Sequence, residues 1–179
     1  MSGFESLWQF ITKRRPAVVQ QREELEHVFN LIQGCESYLE IGTAEGDSLY
    51  VLSHALKPGS RITSIDLGEM VTRSLVDQIV QLLMPVHSVA IYRGNSMDAA
   101  TYPRKEKHDV VLIDGGHDYN TVKSDIAMYA PLSTKYLIFH DVMMPSVKQA
   151  VDEYVRETKA KYHEFVRSET MGFGILEVK

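Results

Sequence analysis

Residues 38–52 read YLEIGTAEGDSLYVL, and the order of residue types in that stretch decides the fold. Tyr38 to Ile41 is a short run with the apolar character of a strand. It gives way to a loop, 42–46, that contains Gly42 and Gly46. Asp47 or Ser48 can then cap a helix running to about Leu56, which Pro58 and Gly59 end. The unit is strand, glycine loop, helix.

Outward from it the alternation repeats. Arg61 to Ile65 reads as a strand closing on Asp66, followed by a helix from about Val71 to Leu83 that Pro85 stops. Val89 to Tyr92 is a third strand, ending in Arg93-Gly94-Asn95-Ser96. Val110 to Ile113 is almost wholly apolar, as a strand buried on both faces must be, and ends on Asp114. Asn120 can cap a helix to Tyr129, and Tyr136 to Phe139 is a fifth strand closing on His140 and Asp141. Ser146 can cap a helix with Val147, Ala150, Val151, Tyr154 and Val155 on one stripe. His163 to Arg167 and Phe173 to Val178 read as two tail strands around a turn at 169–172.

Ahead of the opening unit, Phe4, Leu7, Trp8 and Ile11 mark one helical face. Pro16 breaks that helix or starts the next. Leu25, Val28, Phe29 and Ile32 repeat the spacing, and Gly34 supplies the stop.

Such alternation with short connections predicts an α/β fold: a doubly wound, mostly parallel seven-stranded sheet with helices on both faces and its last strand antiparallel. Residues 1–179 read as one domain, with helices over 1–33 that could cover the site as a lid, serve as a dimer arm, or simply pack on the core. In a sheet of this kind ligands bind outside the carboxyl ends of the strands, where the winding reverses. Glu40, Gly42, Gly46, Asp66, Asn95, Asp114, His117, His140 and Asp141 all fall at those ends. Core packing alone would not turn every strand acidic or glycine-rich at its last residue.

Composition narrows the function. The 179 residues are 44% hydrophobic and 24% charged, with a net charge of −5. A field of that sign does not draw nucleic acid or anionic membrane to the surface as a whole. The basic run Lys13-Arg14-Arg15 is expected to be a solvated turn. The single cysteine, Cys35, rules out a disulfide within the chain; it is expected to be a half-buried filler in a reducing, cytoplasmic compartment. No apolar run is long enough to span a membrane. Glu5 and Gln9 interrupt what would be the apolar part of a signal peptide, so none is expected.

The first loop is not a dinucleotide fingerprint. That motif needs three glycines as G-x-G-x-x-G and a helix start that faces a pyrophosphate. Here there are two, and Asp47 would repel a phosphate. A ligand without phosphate and with a positive centre suits the loop better. Asp66 can accept hydrogen bonds from both hydroxyls of a ribose, which fits adenosine in either S-adenosylmethionine or NAD.

At this point the chain resembles class I S-adenosylmethionine-dependent methyltransferases. The likeness is to the branch with macrocin-type sugar O-methyltransferases and cephalosporin-hydroxylase-like proteins, and it implies the Rossmann-like methyltransferase fold. It is carried by YLEIGTAEGDSLYVL at 38–52, SIDLGE at 64–69, GNS at 94–96, VVLIDGGHDYNTVKSDIAMYAPL at 110–132 and LIFHDV at 137–142. The resemblance implies that Glu40, Gly42, Thr43 and Gly46 line the methionine part of S-adenosylmethionine, with Asp114 beside it. It implies Asp66 at the ribose and Asn95 and Ser96 at the adenine. Relatives usually carry aspartate at the position of Asn95.

In metal-dependent relatives, Asp114, His140 and Asp141 correspond to a site for a divalent cation that holds two substrate oxygens. Those relatives usually have a carboxylate where this chain has His140. Mg²⁺ prefers oxygen ligands, and an imidazole shifts the preference toward Mn²⁺, Fe²⁺ or Zn²⁺, or means that no metal binds. His117, three residues past Asp114, has a side chain whose ordinary pKa of about 6.5 suits a general base toward a hydroxyl. The resemblance places a catalytic histidine there, with Asp118 or Asp114 to orient the ring. Ser133-Thr134-Lys135 stands where relatives have a Gly-Gly turn.

The sequence thus predicts an O-methyltransferase for a small hydroxylated molecule such as a sugar or secondary metabolite, and leaves room for a homo-oligomer. The alternatives are an NAD-dependent oxidoreductase and a non-catalytic cofactor-binding module that acts through an oligomer or partner.

Overall fold

The computed structural model describes residues 3–14, 20–68, 73–98, 100–103 and 105–178. Pro16, Arg15 and the expected helix start at Val71 lie outside these residues. Two helices lead, α1 (Gly3–Arg14) and α2 (Arg22–Leu31). The alternating part follows: β1 (Ser37–Ile41), α3 (Asp47–Ser53), β2 (Arg61–Asp66), α4 (Arg73–Leu83), β3 (Ser88–Arg93), β4 (His108–Ile113), α5 (Tyr119–Tyr129), β5 (Ser133–Phe139) and α6 (Pro145–Thr158). The chain closes with β6 (Lys161–Phe165) and β7 (Phe173–Glu177).

The seven strands form one sheet in the order β3-β2-β1-β4-β5-β7-β6. The first five pair in parallel, and β7 runs antiparallel between β5 and β6. Strand order reverses between β1 and β4, which lie side by side with Ile41 opposite Ile113. The switch point therefore falls where the glycine loop and Asp114 emerge.

Alternation along the strands sorts the side chains into two cores. Tyr38, Ile62, Val110, Leu112 and Ile138 face α1 to α4; Leu39, Ile41, Ile65, Val111, Ile113, Leu137 and Phe139 face α5 and α6. Phe4 and Ile11 of α1 sit in the first core, so the apolar stripe of that helix is spent on packing. Cys35 is 4% exposed and free, and burial pushes its thiol pKa up, as for an inert filler.

Local chemistry differs from expectation at several ends. The cap of α3 is Gly46, in the left-handed region at φ 82°, and Asp47 is the first helical residue. Asp118, not Asn120, caps α5, its carboxylate accepting from the Thr121 amide. Ser146 lies inside α6, behind Pro145, and its hydroxyl donates to the His117 carbonyl instead of capping. Ser133 to Lys135 lengthens β5 backward, with Ser133 opposite His108. This substitution for a glycine turn lies at the end of the sheet away from the switch point.

Candidate active site

The floor of the site is a row of backbone bonds that continues the sheet one residue past the strands. Gly94 donates to the carbonyl of Asp66, Gly42 to Ile65, Asp114 to Ile41 and His140 to Ile113, at 2.8–3.1 Å. The residues that sequence reading picked out at strand ends are thereby set side by side.

Gly42 must be glycine. Its φ is +93°, and a Cβ there would lie 1.9 Å from the carbonyl oxygen of Asp114. Ala44 is also left-handed, at φ 42°. A loop with this backbone persists only where its surroundings over-determine it. Asp66 is one such support: one carboxylate oxygen accepts from the Thr43 and Ala44 amides at 2.9 and 3.0 Å, and the other from the Gly68 amide at 2.6 Å. A carboxylate has about four acceptor positions, and among the described residues three amides occupy those of Asp66.

Glu40 is fully buried, with a carboxyl ringed by hydroxyls: Tyr38 at 3.1 Å and Ser48 at 2.5 Å on one oxygen, Ser64 at 3.3 Å on the other. Burial pushes its pKa up to about 8 against the pull of Ser48, with the charge of Asp114 adding to the rise. Glu40 is therefore mostly neutral at pH 7. It stands behind the loop: Ser64 also shares a 2.5 Å bond with the Thr43 hydroxyl. Asn95 is exposed and folds back on the Met97 amide at 2.9 Å, while the Ser96 carbonyl accepts from Tyr129 at 2.6 Å.

Two shallow hollows open at the strand ends. One is bounded by Thr43, Asp66, Gly68 and Ile91. The other is lined by Asp114, His117 and His140 over an apolar base of Val122, Phe139 and Val147.

The second hollow holds the charged groups. His140, 3% exposed, directs Nδ1 to Asp114 Oδ1 at 3.0 Å and to Asp141 Oδ2 at 3.5 Å. Its Nε2 is buried with no hydrogen-bond partner among the described residues. Burial disfavours the charged ring, but the two carboxylates outweigh it and push the pKa up to about 10. His117, half exposed, directs Nε2 to the same Asp141 oxygen at 2.9 Å. That hydrogen bond raises the His117 pKa against the effect of burial. Asp141 takes both bonds from a left-handed backbone at φ 56°. Burial would raise its carboxyl, yet the two histidines hold it well below the usual carboxylate range. The orienting partner of His117 is thus Asp141 and neither Asp118, which caps α5, nor Asp114, which bonds His140.

Ligand atoms of Asp114, His140 and Asp141 lie within 4.8 Å of one another. The 3.0 and 3.5 Å separations at His140 are those of its hydrogen bonds to the two carboxylates, and a divalent cation could take their place only once the ring has lost its Nδ1 proton. One nitrogen and two carboxylates suit Mn²⁺, Fe²⁺ or Zn²⁺ better than Mg²⁺.

A fold of this order, with its acidic and histidine groups at the switch point, is that of a class I methyltransferase. The chain belongs to the methyltransferase domain family, whose sequence model matches residues 39–142, more than half of the chain. The match covers the glycine loop, Asp66, the β4 motif and Asp141, and it sets aside the oxidoreductase reading. Among solved structures, a Staphylococcus aureus protein assigned as a caffeoyl-CoA O-methyltransferase is 17% identical, with a TM-score of 0.71 over 100% of this chain and 93% of that one. An O-methyltransferase from Bacillus cereus, solved in complex with SAH, is 20% identical, with a TM-score of 0.68 over 100% and 91%. The O-methyltransferase TomG from Streptomyces achromogenes, involved in tomaymycin synthesis and solved with SAM, is 16% identical, with a TM-score of 0.66 over 100% and 90%. At such identities the likeness establishes the fold. No curated protein matches the sequence.

Sequence reading missed Arg14, whose guanidinium donates to the Glu45 carbonyl inside the glycine loop. It also missed the hydroxyl ring around Glu40. Ser64 was the available signal, as a small polar residue inside a strand that the pattern buries.

Proposed function

We propose that the protein transfers the methyl group of S-adenosylmethionine to a hydroxyl oxygen of a small molecule in the cytoplasm, with His117 as general base. The observation that carries this is the His117–Asp141 contact of 2.9 Å at the ends of adjacent strands β4 and β5. Nε2–H donates to Asp141, which leaves Nδ1 with the lone pair. The acceptor oxygen attacks the methyl carbon, the C–S bond breaks with its electron pair passing to sulfur, and the hydroxyl proton moves to Nδ1. S-adenosylhomocysteine and the methyl ether are the products. The sulfonium is already activated, so the protein's tasks are alignment and deprotonation.

The cofactor would lie across the loop 42–46, with its ribose at Asp66 and its adenine near Asn95 and Ser96. With Glu40 mostly neutral, Asp114 is the carboxyl group that faces the sulfonium from the switch point. Asp114, His140 and Asp141 would hold a divalent metal, which when bound supplies positive charge to substrate oxygens. Nothing else in the proposal depends on that ion.

The test separates binding from turnover. His117→Ala should bind S-adenosylhomocysteine within about threefold of the parent by calorimetry. Across a panel of phenols, catechols and sugars with methyl-labelled cofactor, it should lose at least tenfold in turnover of any acceptor the parent uses. Unchanged turnover would remove His117 from the mechanism.

A further inference from the structure

The basic run at residues 13–15 contains a side chain that is not a solvated turn residue. Arg14 is the last residue of α1, and its side chain is only 12% exposed. One guanidinium nitrogen donates to the Glu45 carbonyl at 3.2 Å and to the Leu75 carbonyl at 3.1 Å. Another lies 3.8 Å from Asp47 Oδ1. These contacts reach 31 and 61 residues along the chain, into the glycine loop and the first turn of α4.

The loop needs such support. Gly42, Ala44 and Gly46 all have positive φ. Each non-glycine residue held there costs roughly 1–2 kcal/mol, so external groups must hold Ala44 in place. Asp66 fixes the loop's amides from the sheet side, and the Ile79 side chain abuts Gly46 from α4. Carbonyls need a donor, and Arg14 supplies one from α1. Phe4 and Ile11 root that helix in the core, so the donor stands on a rigid base. A guanidinium suits the task because its fixed fork can serve two carbonyls and a carboxylate together.

We propose that Arg14 is a positioning residue for the cofactor loop: by bridging the Glu45 and Leu75 carbonyls beside Asp47, it holds residues 42–46 in the conformation that takes S-adenosylmethionine. Helix α1 is then a brace for the loop. The inference rests on the cofactor reading above.

The test compares Arg14→Ala, Arg14→Lys and the exposed neighbour Lys13→Ala in the full chain. Affinity for S-adenosylhomocysteine is read by calorimetry, unfolding midpoint without ligand by urea. Arg14→Ala should weaken binding at least tenfold. Arg14→Lys, whose ammonium can serve one carbonyl, should recover part of it, and Lys13→Ala should match the parent. Should Arg14→Ala not fold, the lysine variant carries the test through a three- to fivefold loss of affinity. A lowered midpoint with unchanged affinity in both Arg14 variants would overturn the proposal and leave Arg14 a packing residue. If the parent itself does not bind S-adenosylhomocysteine, the cofactor reading fails, and this inference with it.

Discussion

Glu40→Gln should make the protein more stable at alkaline pH. The carboxyl is enclosed by Tyr38, Ser48 and Ser64 with no exposed surface, and its pKa is raised to about 8. In the unfolded chain the same group ionises near 4.5, so the folded state holds the proton more tightly. The stability Glu40 contributes is complete below that unfolded value and is lost as pH rises toward and through 8. The gap of about 3.5 units, at 1.36 kcal/mol per unit, amounts to roughly 4–5 kcal/mol when fully expressed, of which about 3 kcal/mol falls between pH 5 and 8. Glutamine has the same shape. Its carbonyl can accept from Tyr38 and Ser48, and its amide replaces the oxygen to which Ser64 donates, so that the Ser64 hydroxyl has only to turn and accept.

Urea unfolding of parent and variant from pH 5 to pH 8 checks this, with Trp8, the single tryptophan, as the fluorescent probe. The difference should be small at pH 5 and should grow by about 3 kcal/mol in favour of the variant at pH 8. Because both proteins share every other titrating group, only Glu40 contributes to the change. Parallel curves across the range would refute the reasoning and mean that Glu40 is ionised in its hydroxyl ring.

Other outcomes follow from the same geometry. Gly42→Ala would set a Cβ 1.9 Å from the Asp114 carbonyl oxygen, so it should cost at least about 2–3 kcal/mol by urea unfolding and abolish cofactor binding. Turnover should rise with pH through a value above 6.5, because the Asp141 bond raises the His117 pKa and the base acts in its neutral form; Asp141→Asn should move that limb to lower pH while reducing the rate. Mn²⁺ should raise the thermal midpoint more than Mg²⁺, and His140→Asp should reverse the order; equal indifference to both ions in both proteins would speak against the metal.

The architecture was legible in the sequence because the site forces the strands to break their own pattern. Val110 to Ile113 can be wholly apolar only if helices cover both faces, and Asp114 directly after it marks the end that faces a ligand. Register was legible only in part. Alternation puts Tyr38 and Glu40 on one face, but that Ser64 lies opposite Glu40 depends on how β1 and β2 align. The caps show the limit most clearly. Asp47 is a good capping residue by type, yet Gly46 takes that place, and Asp47 sits in the helix with Arg14 beside it. Local preference does not decide the cap there, and sequence distance hid the Arg14 contact.

The same limit applied to function. Asp114, His117, His140 and Asp141 could each be named from strand-end position, but position does not say which pairs with which. Asp118 is next to His117 in sequence, while Asp141 reaches it only because β5 lies beside β4 and the backbone at Asp141 turns left-handed. A carboxylate one residue away caps a helix, and one on the neighbouring strand orients the ring. The aspartate that makes His117 a candidate base is therefore set by sheet order. A search for the acid partner of a loop histidine in this fold should look first across the adjacent strand end.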